Sequence, residues 1–174
     1  MSYFGLESID CYRVMDMFRN NWKNYAFWIL TAEAVGGLSG WLSRDGMRLY
    51  SETVQQPPFS PPMWLFPIAW GILYALMGFG AARVWRSPEG KHRSQGLNLY
   101  IAQLVVNFFW SLIFFNARAY GFALLWLVLL LVLVVAMALS FLKTDRLAAI
   151  AQLPYILWLL FAAYLNYGVW QLNG

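Results

Sequence analysis

Five stretches of this chain carry no Asp, Glu, Lys or Arg over a membrane-scale length, or nearly so. They are roughly Asn24–Ser43, which contains Glu33, then Trp64–Ala82, Gln95–Ala117, Ala119–Leu142 and Leu147–Leu172. A helix crossing the hydrocarbon core needs about 20 predominantly apolar residues. Backbone in lipid must satisfy its hydrogen bonds within its own segment, which selects helices here. The pattern predicts an all-α membrane protein, a five transmembrane helix bundle. Composition agrees: of 174 residues, 61% are hydrophobic and only 11% charged, against about 25% charged in a soluble domain.

Residues 24–174 are expected to form this one membrane domain, leaving no room for a separate soluble one. Residues 1–23 form an N-terminal extension in which Phe4, Leu6, Ile9, Val14, Met15, Met17 and Phe18 are interspersed with charges. An interfacial helix and an unstructured tail both fit that pattern. The first apolar run is expected to stay as helix 1. It begins late for a signal peptide, contains Glu33 and lacks a clean small-residue cleavage site. Cys11 is the only cysteine, so no intrachain disulfide can form.

The net charge of +4 is distributed unevenly. Arg13, Arg19, Lys23, Arg83, Arg86, Lys91, Arg93, Lys143 and Arg146 fall on one side of the expected spans. Arg44, Arg48 and Arg118 fall on the other. The positive-inside rule then places the N-terminus in the cytoplasm and the C-terminus outside, for a bacterial inner membrane. No basic face is interleaved with a readout element, so nucleic acid is not an expected partner.

Polar and aromatic residues inside the spans are the next constraint. Gln103, Asn107 and Trp110 are spaced i, i+4 and i+7, and Tyr155, Trp158 and Asn166 are spaced i, i+3 and i+11. Both spacings keep to one helix face. Phe66, Trp70, Tyr74 and Gly78 share another face by steps of four. Amides in hydrocarbon need partners, so these faces belong to the bundle interior. Two readings stay open from the residues alone. The aromatics are core packing and the amides interhelical hydrogen bonds, or the faces line a ligand pocket, with Gln103 and Asn107 orienting a polar edge.

Other segments carry expectations of their own. Glu33 lies roughly 12 Å along helix 1 from Tyr25, where an acid must face a cavity, pair or be protonated. Ala32, Gly36 and Gly40 are spaced for close helix packing. Four prolines between Gln56 and Trp64 make the 1–2 connection stiff,. Its Phe59 and Trp64 suit either a lid against the bundle mouth or a plain rigid connector. Helix 4 reads as the most lipid-exposed span. Pro67 sits in the first turn of helix 2, and Pro154 is expected to kink helix 5.

These segments, in this order, resemble the translocator protein family, also called tryptophan-rich sensory proteins or peripheral benzodiazepine receptors. The matching pieces are Pro58-Phe59-Ser60-Pro61-Pro62 with Phe66-Pro67-Ile68-Ala69-Trp70 and Leu73-Tyr74, then Gln103 to Trp110 with Phe114-Phe115. The last is Pro154-Tyr155-Ile156-Leu157-Trp158 with Leu165-Asn166 and Asn173. The resemblance runs from about Gly36 to Asn173 and implies five helices around a pocket that opens toward the helix 1–2 loop. It implies porphyrin or a similar hydrophobic small molecule as ligand, membrane lipid as surroundings and a possible homodimer. On motif position it implies Trp70, Asn107, Trp110, Trp158, Ala162 and Leu165 as pocket residues. Phe122 stands where some relatives have a pocket Trp, and Ser39, Tyr50 and Pro61 lie near the mouth. Phe59 replaces a common Trp. No basic residue follows Tyr167 to complete the family's cholesterol motif, which argues against sterol as the natural ligand,.

The expected function is a membrane receptor for porphyrins, with a stress-sensing or tetrapyrrole-handling role. Two alternatives stand beside it. One is light-dependent breakdown of protoporphyrin, which the resemblance assigns to Trp70 and Trp158. The other is transport of porphyrin or lipid-like ligands. No cofactor or metal is expected: the lone histidine, His92, sits in a basic loop and no residues have metal-ligand spacing,.

Overall fold

The computed structural model describes the backbone of residues 4–174 and the side chains from residue 22 onward. The described chain is all-α. In order come α1 (Phe4–Thr53), α2 (Leu65–Trp85), α3 (Lys91–Ser111), α4 (Tyr120–Leu142), the single turn α5 (Arg146–Ile150) and α6 (Leu153–Asn173). A π-helical turn, Leu112–Asn116, continues α3. The bundle therefore has five principal helices, α1, α2, α3, α4 and α6. Leu65–Trp85, Lys91–Asn116, Tyr120–Leu142 and Arg146–Asn173 are each long and apolar enough to cross a membrane. In α1 the apolar run is diluted by Glu33, which is half-buried, and by Gly36, Gly37 and Gly40. The helix also runs on through Arg44, Asp45 and Arg48 to Thr53, well past the apolar stretch. The side chains of residues 1–21 of the N-terminal extension lie outside the described residues.

The helices meet where the sequence supplies small or regularly spaced residues. A Cβ on Gly78 would stand 2.5 Å from the Ile29 Cα and 2.7 Å from the Trp28 carbonyl oxygen, so α1 and α2 touch backbone to backbone there. The Tyr74 ring packs directly on Gly36, and Ala32 is fully buried. Gly40, the third member of that stripe, faces open space and takes no part in the seam.

Helix α4 shares with α6 the lowest burial among the four apolar spans, in keeping with its lipid-exposed reading, and it also carries a packing seam. It buries Tyr120, Ala123, Leu127, Leu130, Val134, Met137 and Phe141, steps of three and four that repeat every seven residues. That is the seam of coiled-coil packing, and it lies against α3 and α6. Its remaining faces are apolar and exposed, and α6 leaves as large a share of its length unburied. A uniform Leu/Val/Ala composition hid the seam.

Pro154 does not kink one long helix. The chain breaks before it, at Ala151-Gln152, and Pro154 occupies the first turn of α6. A proline there forfeits no intrahelical hydrogen bond. Pro67 lies in the first turn of α2, as expected.

The proline connection is fastened to α6, though not by its large aromatics. Phe59 is 86% exposed and Trp64 65% exposed, so neither closes over the bundle mouth. Pro57 is buried and packs on Gly168. The Tyr164 hydroxyl donates to the Pro58 carbonyl at 3.0 Å. Asn173 accepts from the Gln55 backbone N–H at 3.0 Å and donates to the Gln55 carbonyl at 2.9 Å.

Candidate ligand-binding site

The polar centre of the bundle is built by α2, α3 and α6. The Tyr74 hydroxyl donates to Asn107 Oδ1 at 2.7 Å. Asn107 Nδ2 donates to the Tyr155 hydroxyl at 2.6 Å, and that hydroxyl donates to Gln103 Oε1 at 3.1 Å. Gln103 Nε2 approaches Met77 Sδ at 3.5 Å. All five side chains are buried. Each amide is thus engaged by neighbouring helices, at a worth of about 0.6 kcal/mol per interhelical bond in membranes. Of the two readings the sequence leaves open for Asn107 and Gln103, these contacts belong to the interhelical-bond one.

One turn further along the same faces stand the tryptophans. Trp70 packs against Tyr74 at 5.6 Å, Tyr155 at 6.1 Å and Trp158 at 6.4 Å between ring centroids. Trp158 meets Phe66 at 6.1 Å and Phe161 at 5.8 Å. These are mostly edge-to-face pairs, the favoured geometry for aromatic quadrupoles. Trp70 and Trp158 are half-buried, as is Ala162 one turn beyond Trp158, while Leu165 is buried. Ala162 contributes only a methyl group one turn beyond Trp158.

A second aromatic group gathers toward the α1–α2 connection. Trp110 stacks on Phe114 at 5.0 Å, and Phe114 lies 5.5 Å from Tyr50 and 5.2 Å from Tyr120. Ser39 is buried and donates to the Phe108 carbonyl at 2.8 Å, which sets the register of α1 on α3. The π-helical turn follows directly, with Asn116 Nδ2 bonded to the Leu42 carbonyl at 3.0 Å. Such turns are frequent at functional sites. Pro61 is half-buried in the connection above.

Phe122 is not brought together with the others. It is 54% exposed on the outside of α4, against Trp126. The inward residue there is Ala123, fully buried. Sequence reasoning left Met77 and Ser43 outside the candidate site, and put Tyr74, Phe114 and Asn166 on its faces without giving them a role of their own. Tyr74 was detectable as one step of four beyond Trp70. Ser43 carried no signal beyond being four residues after Ser39.

At the opposite end, Arg83 joins the α2 terminus to the α4–α5 connection. Its Nε and Nη2 reach the two oxygens of Asp145 at 2.7–3.0 Å. Asp145 also caps α5 by accepting from the Ala148 N–H at 2.8 Å. The Arg83 guanidinium holds the Asp145 carboxyl below the usual carboxylate range, and the Ala148 N–H adds to the effect against the opposing cost of burial.

Apolar spans around a buried polar and aromatic centre define a multi-pass integral membrane protein of the helical-bundle class. More narrowly, the chain belongs to the TspO/MBR family, whose pattern matches residues 28–171. It is 38% identical to the translocator protein of Ovis aries over 142 residues, 79% of this chain and 83% of that protein. It is 36% identical to protein CrtK of Rhodobacter capsulatus over 141 residues, 80% of this chain and 87% of that one. The tryptophan-rich sensory protein of Cereibacter sphaeroides is 34% identical over 122 residues, 70% of this chain and 75% of its own.

Proposed function

We propose that this protein is an integral membrane receptor for porphyrin-type ligands, with a role in sensing stress or handling tetrapyrroles. The observation that carries the reading is the half-buried pair Trp70 and Trp158, 6.4 Å apart, with the small Ala162 beyond. A flat apolar macrocycle gains stacking energy from such indoles. Family membership and the names "translocator" and "sensory" given to relatives support the same class of function. On this reading the protein sits in a bacterial inner membrane with its N-terminus in the cytoplasm, surrounded by lipid and paired with a second copy of itself.

One titration tests the proposal. Protoporphyrin is added to the purified protein in detergent, first in the dark and then illuminated, while tryptophan fluorescence and the porphyrin spectrum are followed. Saturable quenching with an unchanged spectrum is the expected result. Trp158→Phe is expected to weaken binding roughly threefold to tenfold, the worth of one aromatic contact. Light-dependent loss of the porphyrin bands that vanishes in Trp70→Phe or Trp158→Phe would instead favour the degrading enzyme. Quenching that never saturates would sink both readings.

A further inference from the structure

The half of the bundle next to the α1–α2 connection contains three buried polar atoms that have no hydrogen-bond partner among the described residues. They are Ser43 Oγ on α1, Trp110 Nε1 on α3 and Asn166 Oδ1 on α6. Their residues are 0%, 9% and 1% exposed, so neither solvent nor lipid reaches them freely. Buried polar groups in native proteins are nearly always paired, and in a membrane no bulk water can substitute. The three atoms stand on three different helices at this end of the bundle.

Contacts around the Phe114 ring fix where two of these groups stand. Trp110 stacks on one side of Phe114, and Tyr120 meets it on another. Asn166 is tied to that same corner, because its Nδ2 donates to the Tyr120 carbonyl at 2.8 Å. That bond leaves Oδ1 as the idle half of the amide. Ser43 lies two turns before Tyr50 on α1, and Tyr50 lies against both Phe114 and Phe115. Its register on α3 is bracketed by the Ser39–Phe108 bond on one side and by Gly46, whose Cβ would meet the Phe115 carbonyl, on the other. The Trp110 level falls inside that bracket.

The chemistry of the three atoms is specific. Trp110 offers a donor only, Asn166 Oδ1 an acceptor only, and the Ser43 hydroxyl either. An apolar ligand satisfies none of them, and a lone carbonyl cannot satisfy Asn166. A carboxylic acid accepts at its carbonyl oxygen and donates from its hydroxyl, and its neutral form avoids burying a charge. We infer that Ser43, Trp110 and Asn166 form a polar subsite that takes the carboxylic acid groups of a planar, otherwise apolar ligand. This rests on the receptor reading above and adds its polarity and direction: the acid edge points toward the α1–α2 connection, and the ring lies toward Trp70 and Trp158.

The test compares protoporphyrin with its dimethyl ester, which keeps the macrocycle and loses both acid hydroxyls. Ser43→Ala and Trp110→Phe carry the comparison. The first removes a hydroxyl that bonds nothing among the described residues, and the second keeps a ring to stack on Phe114. Asn166 also anchors Tyr120, so its replacement would mix two roles. The wild-type protein is expected to bind the free acid about threefold to tenfold tighter than the ester, the worth of one to two neutral hydrogen bonds. That ratio should fall toward one in each variant, because acid affinity drops by more than ester affinity. Equal binding of acid and ester by the wild type would overturn the subsite while leaving the receptor reading intact. Equal weakening of both probes in the variants would reduce these residues to packing and also overturn it. Saturation by neither probe would remove the receptor reading and the subsite together.

Discussion

Asn107 holds three helices at once, since its amide bridges the hydroxyls of Tyr74 on α2 and Tyr155 on α6. Replacing it with leucine removes both bonds, yet the two tyrosines lose unequally. Tyr155 still donates to Gln103, whereas Tyr74 keeps no partner of its own among the described residues. A buried hydroxyl left unpaired costs about 1–3 kcal/mol, and partial compensation is common in membranes. Asn107→Leu is expected to lose stability at the lower end of that range, seen as a reduced thermal midpoint in detergent. Asn107→Gln, which keeps the amide but shifts it, should fall between the two. An unchanged midpoint in the leucine variant would show that the chain of bonds contributes nothing to stability.

At the scale of elements, the bundle depends on a few fitted edges. The α4 seam, the backbone contact at Gly78 and the break before Pro154 each let a helix lie close to its neighbour. The bidentate pair of Arg83 and Asp145 then closes the end of the bundle where α2 finishes and α5 begins. Folding lowers the Asp145 carboxyl pKa below its ordinary value, which is about 3.9 in an unfolded chain. The stability that this pair adds is therefore fully present above that value and is lost as pH falls through the lower folded value. Both side chains are partly exposed, so the contribution is at most about 1 kcal/mol. Thermal midpoints measured from neutral to strongly acid pH should show a fall in that acid window for the wild type. Asp145→Asn should have a lower midpoint at neutral pH and a smaller acid-side fall, because this titration is gone. Equal acid-side slopes in the two proteins would show that the pair does not contribute.

At the scale of the whole molecule, the α1–α2 connection and the end of α6 behave as one piece. Asn173 pairs with both backbone groups of Gln55, which lies 118 residues earlier in the chain. Tyr164 and Gly168 hold Pro58 and Pro57 below it. Prolines stiffen the connection, but side chains of α6 decide where it lies. Asn173→Ala is expected to speed protease cleavage between Gln55 and Met63 severalfold while helical content stays the same. Cleavage at the wild-type rate would show that the prolines alone hold the connection.

Much of this architecture is legible in the chain itself. Uncharged runs of membrane length dictate helices, because lipid leaves backbone groups no other partner. Spacing by threes and fours placed Gln103, Asn107, Trp110, Tyr155 and Trp158 in the interior. Family motifs located the aromatic residues of the candidate site. What such spacing cannot decide is what a buried group touches. Asn107 and Gln103 turned inward as expected, and their polar atoms were taken by Tyr74 and Tyr155 from distant parts of the chain. Trp110, on the same face, kept its N–H without a partner among the described residues. Phe122 and Ala123 are adjacent, and only the rotation of α4 against α3 and α6 put the smaller one inside. Helix formation is local and follows from composition. The choice of partner depends on helix rotation and register, which long-range packing sets.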